Sequence, residues 1–190
     1  MTMRWIGFVG GVLAMLGSFG AALTPASAED GLIEDFTMQP ETRWRFLSDT
    51  VMGGVSTGRI TFAVEDGQPF ARLTGTVSTA NRGGFIQMRL DLAAPPPEGS
   101  QGVRLRVRGN DQRYFVHLRT SGTLLPWQYY QAGFEVTSAW QEVRIPWEAF
   151  AASGNLLRRV PGPAALRSVA VVAYGRDHQA KIDVAEVGFY

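Results

Sequence analysis

Beyond residue 40 hydrophobic and polar positions alternate with a period of two along most of the chain, the pattern of strands that bury one face and wet the other. Ile60, Phe62 and Val64 alternate with Arg59, Thr61 and Ala63. Residues 70–77 and 85–90 follow as two further strands, separated by the turn-rich run Ser78-Thr79-Ala80-Asn81-Arg82-Gly83-Gly84, and are expected to lie side by side. The clearest alternation is Val103-Arg104-Leu105-Arg106-Val107-Arg108, which directs each apolar side chain to one face and each arginine to the other. Residues 114–119, 129–136 and 142–145 repeat the pattern, residues 168–174 form an almost wholly apolar central strand, and residues 182–190 close the chain. Only Pro146-Trp147-Glu148-Ala149-Phe150-Ala151-Ala152 reads as helix, one or two turns long, with proline where a first turn tolerates it and Gly154 just past the end. About nine or ten short strands, with turn signals roughly every ten residues and no crossover helices between them, predict an all-β sandwich or jelly roll rather than a parallel α/β sheet.

The N-terminal segment has a different pattern. Arg4 precedes an uncharged, apolar or small-residue run from Trp5 to Leu23; Pro25 breaks it, and Ala26-Ser27-Ala28 stands before Glu29-Asp30. This is the layout of a secretory signal peptide cleaved after Ala28, so residues 29–190 are expected in the periplasm as one domain, with no stable membrane anchor after cleavage. Composition narrows the partners. With 18 basic and 17 acidic residues the net charge is +1, which argues against nucleic-acid binding by bulk charge. The 45% hydrophobic content supports one sizeable core, and the absence of cysteine excludes disulfides, thiolate metal sites and thiol catalysis.

The most distinctive string is Ser48-Asp49-Thr50-Val51-Met52-Gly53-Gly54-Val55-Ser56, a loop before a strand in which two adjacent glycines let the backbone take positive φ and pass close to its neighbours. It resembles the Asp-x-Val-Met-Gly-Gly-x-Ser signature of the complex I intermediate-associated protein 30 family. Further matching strings occur in the same order: Leu73-Thr74-Gly75, Asn81-Arg82-Gly83-Gly84-Phe85, Leu105-Arg106-Val107-Arg108-Gly109 leading to Arg113-Tyr114, Tyr130-Gln131-Ala132-Gly133-Phe134, Trp140, and Val143-Arg144-Ile145-Pro146-Trp147. The resemblance spans about residues 33–190. It implies a galactose-binding-domain-like jelly-roll β-sandwich and a non-enzymatic role, since mitochondrial members of the family assist respiratory complex I assembly without known catalysis.

Two groups of residues are candidate sites. Asp49, Met52, Gly53, Gly54 and Ser56, with Asn81, Arg82, Gly83 and Gly84, are expected to form a chiefly architectural pair of loops near one rim of the sandwich. In that reading Met52 fills an apolar gap and Asp49 is held by backbone N–H groups or by Arg82. The alternative is a polar ligand nook at the same loops. The second group is a candidate ligand face. Arg106 and Arg108, with Arg104 beside them and the row continued by Arg89 and Arg119 on neighbouring strands, could fork onto a carboxylated or phosphorylated ligand or be a solvated face. Trp127, Tyr129 and Tyr130 could stack on a sugar ring or be ordinary core and cross-strand aromatics.

The catalytic inventory is poor: His117 and His178 are the only histidines, and no metal-ligand spacing, nucleophile elbow or phosphate loop occurs. No cofactor and no metal are therefore expected. The chain reads as a non-enzymatic exported binding or assembly-helper protein with an envelope protein partner; the alternative is a carbohydrate-binding module of the cell envelope.

Overall fold

The computed structural model describes residues 1–2 and 31–190. The expected signal peptide lies, from residue 3 onward, outside the described residues. Among the described residues the strands are β1 (Leu32–Glu34), β2 (Trp44–Ser48), β3 (Thr57–Glu65), β4 (Gln68–Val77), β5 (Phe85–Asp91) and β6 (Gly102–Gly109), followed by β7 (Arg113–Thr120), β8 (Tyr130–Glu135), β9 (Gln141–Pro146), β10 (Ala151–Ala152), β11 (Leu166–Tyr174) and β12 (His178–Phe189). They form two six-stranded antiparallel sheets, an all-β jelly-roll sandwich. The first sheet has the order β3-β4-β12-β6-β9, with β1 beside β12, and the second runs β10-β8-β7-β11-β5-β2.

Alternation builds the core directly. Val103, Leu105 and Val107 of β6 and Ile182, Val184 and Val187 of β12 face inward from the first sheet. Ile86 and Met88 of β5, Tyr114, Val116 and Leu118 of β7, and Val169 and Val171 of β11 meet them from the second. Strand β11 lies inside its sheet, as its apolar sequence predicts, and Ala170 and Val172 on its outer side are buried as well. The β3–β4 hairpin closes through Asp66-Gly67, both at positive φ, which suits the primed two-residue turns of twisted hairpins.

Three sequence expectations change. Strands β4 and β5 do not lie side by side: β4 pairs with β3 and β12, β5 with β2 and β11, and the segment 78–84 carries the chain from one sheet to the other. A hairpin-like spacing therefore conceals a sheet switch. Residues 146–152 are not a helix of one or two turns but a single 3-10 turn (Trp147–Ala149) ending in β10. Trp147 and Phe150 are both buried and anchor the turn, with the Trp147 indole N–H donating to the Ser100 carbonyl at 2.7 Å, after which Ala151 and Ala152 pair with Gln131 and Tyr130 of β8. The third change is the strand count, since β1, β2 and β10 add to those read from alternation; at two to five residues they are too short for that signal.

Candidate functional site

The family-like motif is built around one carboxylate. Asp49 opens a 3-10 turn (Asp49–Met52) directly after β2 and has no solvent exposure. Its Oδ1 accepts the Ser56 N–H at 2.9 Å; its Oδ2 accepts the Ser56 hydroxyl at 2.5 Å, the Gly84 N–H at 2.5 Å and the Phe85 N–H at 3.3 Å. Burial opposes ionisation, but these donors outweigh it and hold the Asp49 carboxyl below the ordinary aspartate range. Two glycines make room for the group. A Cβ on Gly54 would lie 2.3 Å from Asp49 Cγ, and one on Gly83 would lie 2.3 Å from Asp49 Oδ2. Gly53, at φ +88°, turns the chain just before Gly54, and Asn81 and Arg82 at φ +56° and +61° aim the following amides at the carboxylate.

The two loops thus meet on Asp49, with backbone N–H groups and Ser56 as its partners. Arg82 is not among them: its side chain is exposed and makes no hydrogen bond or ion pair among the described residues. Met52 fills no internal gap either; it is 58% exposed because the 3-10 turn points it outward, beside the 72%-exposed Val51.

Those outward side chains form one wall of a groove of about 780 Å³ on the outer face of the second sheet. Its floor follows from the register, in which Tyr174 pairs with Phe85, Ala170 with both Arg89 and His117, and Ser168 with Arg119. The small Ser168 and Ala170 on the middle strand sit between larger side chains on β5 and β7, so the sheet face sinks along β11. Segment 121–129 makes the opposite wall, carrying Trp127 (63% exposed) and the half-buried Tyr129. Arg119 fixes this wall from below, its guanidinium donating to the carbonyls of Thr123, Leu125 and Pro126 at 2.9–3.0 Å. Ser153 fixes it from the side, accepting the Tyr129 N–H at 2.9 Å and donating to the Trp127 carbonyl at 3.0 Å. His117 lies under Tyr129, ring on ring at 4.2 Å, with its Nε2 2.8 Å from Gln131 Oε1. Burial in this stack lowers the imidazole pKa to about 4, so the ring is neutral at ordinary pH. Burial also raises the Tyr129 hydroxyl, which donates toward the Tyr174 oxygen at 3.4 Å.

The candidate ligand face is therefore split. Arg119, Trp127 and Tyr129 line the groove, whereas Tyr130, the next residue, points the other way and is 3% exposed in the core, as strand alternation requires. Arg106 and Arg108 lie on β6 in the first sheet, so the row with Arg104 does not continue onto Arg89 and Arg119, which belong to the second. On its own sheet Arg108 donates to Asp183 (2.9 Å) and Glu65, and its guanidinium lies 4.7 Å from the Trp140 ring centroid. Arg106 donates to Gln68 at 2.7 Å and lies 3.6 Å from Glu186. These arginines hold a web of carboxylates rather than offering open forks.

Gln87, Val51, Ser153 and Tyr174 also line the groove and escaped the sequence reading. The outward parity of β5, β7 and β11 was legible, but not which sheet each strand joins, and the parity becomes a surface only once the sheet order is known. Among the described residues no cluster of three or more histidine, cysteine or acidic side chains is placed to hold a metal.

The fold and groove define a jelly-roll β-sandwich of the kind seen in carbohydrate-binding modules. The chain is similar to the family 11 carbohydrate-binding module from Clostridium thermocellum, solved with a β-1,3-1,4-mixed-linked tetrasaccharide, at a TM-score of 0.66 and 12% identity over 84% of this chain and 94% of that one. A family 30 carbohydrate-binding module gives a TM-score of 0.53 and 12% identity over 72% of this chain and 91% of that one. At such low identity the likeness shows the fold alone. By sequence the chain belongs to the complex I intermediate-associated protein 30 family, whose model matches residues 35–176. No curated protein matches it.

Proposed function

We propose that this chain is a non-catalytic oligosaccharide-binding module whose ligand lies in the groove of the second sheet. The observation that carries the reading is the wall on which Trp127 and Tyr129 stand over a floor of small side chains, in a cavity of about 780 Å³, within the range of small-ligand sites. Aromatic rings offer a flat apolar face to the C–H face of a sugar, while Gln87, Ser153 and Ser168 supply hydroxyl-matching polar groups at the floor and side. The tetrasaccharide bound by the family 11 module supports this ligand class for the fold. Binding rather than turnover is supported by the lining itself, which holds no carboxylate and whose one histidine is stacked and hydrogen-bonded.

Titration of the protein with mixed-linked β-glucan and other tetrasaccharides, followed by tryptophan fluorescence and calorimetry, tests it. Saturable binding is expected, weakened about tenfold by Trp127→Ala with an unchanged melting temperature. An array of neutral and acidic glycans in which nothing binds refutes it.

A second reading, an assembly helper that takes an envelope protein, is favoured by exposed apolar side chains on the segments that carry the groove walls: Val51 and Met52 in one, Leu124 and Leu125 in the other. Photocrosslinking from position 52 in living cells would then capture one protein specifically, and no such product means these segments serve the sugar site alone. The site of action we place in the periplasm on the character of the N-terminal segment; an intact mass of the exported protein beginning at Glu29 is the expected result, and retention of residues 1–28 in a cytoplasmic fraction would overturn it.

A further inference from the structure

We propose, resting on the oligosaccharide reading above, that the ligand of this groove is acidic, a uronate-bearing oligosaccharide with one carboxylate taken by Arg89 and another, several rings away, by Arg82. The charged side chains lining the groove are Arg82, Arg89 and Arg119, and no aspartate or glutamate lines it. The chain as a whole is balanced at +1, so this is a local segregation of charge rather than a general excess of arginine.

What faces these groups bears this out. Arg119 is committed to the carbonyls of its loop, so its charge sits beneath the Trp127 wall without a carboxylate partner. Burial, and then repulsion from Arg89, both disfavour the Arg119 cation. The carboxylate nearest Arg89 is Asp91, 3.5 Å from its Nε, and Asp91 is at the same time the partner of Arg45. Arg89 Nε is buried without a hydrogen bond. At the other end, Arg82 occupies a left-handed backbone position that glycine would fill without strain, yet its guanidinium has no protein partner among the described residues. Along the strands the two ends are separated by about the length from Phe85 to Arg89, ~13 Å at ~3.3 Å per residue, which suits an extended ligand of several rings rather than one small anion.

A uronate suits this arrangement better than a sulfate or phosphate ester. It replaces the sugar's hydroxymethyl group by a planar carboxylate of similar size, which leaves ring stacking on Trp127 undisturbed and matches the fork of a guanidinium.

The test is calorimetry on the purified protein with four probes: a neutral mixed-linked tetraglucoside, a tetragalacturonate, a sulfated tetrasaccharide and a glutamate-rich peptide. The parent is compared with Arg89→Gln, Arg82→Gln and Trp127→Ala. The tetragalacturonate is expected to bind about tenfold or more tighter than the neutral tetramer at low ionic strength. That advantage should shrink at high salt and in each arginine variant, while Trp127→Ala weakens both sugars. Equal or tighter binding of the neutral sugar, still dependent on Trp127, overturns the acidic preference and leaves the oligosaccharide reading standing. Preference for the sulfated probe overturns the choice of uronate. Binding of no saccharide overturns the oligosaccharide reading itself, and capture of the acidic peptide alone replaces both with a protein ligand.

Discussion

The sharpest test of the motif is the substitution Gly54→Ala. An added methyl at Gly54 would sit 2.3 Å from Asp49 Cγ, 2.4 Å from Oδ1 and 2.7 Å from Cβ, far inside van der Waals contact. The carboxylate cannot simply swing away, because it is fully buried and tied by four hydrogen bonds, with Gly83 pressed against its other oxygen. Relief requires it to leave the Ser56 N–H and at least one further donor. At about 1.5–3 kcal/mol for each hydrogen bond to a charged group, two lost bonds cost about 3–6 kcal/mol, a large share of a total stability of about 5–15 kcal/mol. For a chain of this length each kcal/mol lowers Tm by about 2–4 °C, so a drop of about 10 °C or more is expected in a calorimetric melt.

The neighbouring glycine is the internal control. Gly53 has φ +88° and nothing within 4 Å of its ideal Cβ, so Gly53→Ala meets only the backbone penalty of the left-handed region, about 1–2 kcal/mol. Adding Asp49→Gly separates the mechanisms: with the carboxylate and the Asp49 Cβ, 2.7 Å from the added methyl, both gone, Gly54→Ala should cost little more, while Gly53→Ala should add in full. A Gly54→Ala protein that melts within about 2 °C of the parent, or no lower than Gly53→Ala, would refute the account of the motif as a carboxylate cradle.

Acid should destabilise the protein in two stages. His117 has a folded pKa of about 4 against 6.5 for the free side chain, so the unfolded chain binds the extra proton between those values and stability falls as pH drops from about 6.5 to 4, by about 3 kcal/mol. Asp49 and Asp183 are held below 3.8, so their contributions stand above that value and are lost only as pH falls through their lower folded pKa values. Urea midpoints from pH 7 to 4 should therefore slope for the parent and slope less for His117→Gln, His178, which burial also lowers, keeping a remainder; equal slopes would refute the buried neutral imidazole. The Tyr114 hydroxyl donates to Asn110 Oδ1 at 2.7 Å and accepts the Lys181 N–H at 2.8 Å, so Tyr114→Phe should cost about 1–3 kcal/mol in a urea melt, and a neutral result would show that water replaces it. Arg119→Ala should leave segment 121–129 without its three carbonyl anchors and speed proteolytic nicking there, with an unchanged rate counting against the anchoring role.

Alternation carried most of the fold because the sandwich buries one side of almost every strand, and residues 103–108 or 114–119 expose that rule without interruption. It failed where a strand is too short to alternate, as at Ala151–Ala152, or where the connection matters more than the strands. Nothing local in residues 78–84 says whether the chain turns back into its own sheet or crosses to the other; that is decided by the partners β4 and β5 find about 80 to 110 positions later, in β12 and β11. The candidate site suffered from the same blindness. Arg108 and Arg119 have the same sequence environment, an arginine on the outward parity of a strand, yet one is knitted into Asp183 and Glu65 and the other props a groove wall. Tyr129 and Tyr130 show the reverse: once the strand is placed, adjacency alone requires that one line the groove and the other enter the core.

The glycine-rich loops, for which the sequence leaves an architectural reading and a polar ligand nook as alternatives, are joined in the structure by the Asp49 clamp beneath one wall of the groove. Asp49 is out of reach of any ligand, yet it fixes two segments at once. Its own 3-10 turn presents Val51 and Met52, and the amides of Gly84 and Phe85 on its Oδ2 hold the left-handed turn that presents Arg82. Both sets of side chains belong to the same wall of the groove. A loop bearing exposed apolar groups and an unpartnered guanidinium has little packing of its own to hold it, so its geometry has to come from beneath, and a buried carboxylate with donors on two loops supplies that without occupying the surface. The opposite wall obeys the same logic with the charge reversed: the Arg119 cation gathers three carbonyls under Trp127. Each wall is thus clamped by one ion that bonds mainly to backbone, which leaves the outward side chains free of structural duty.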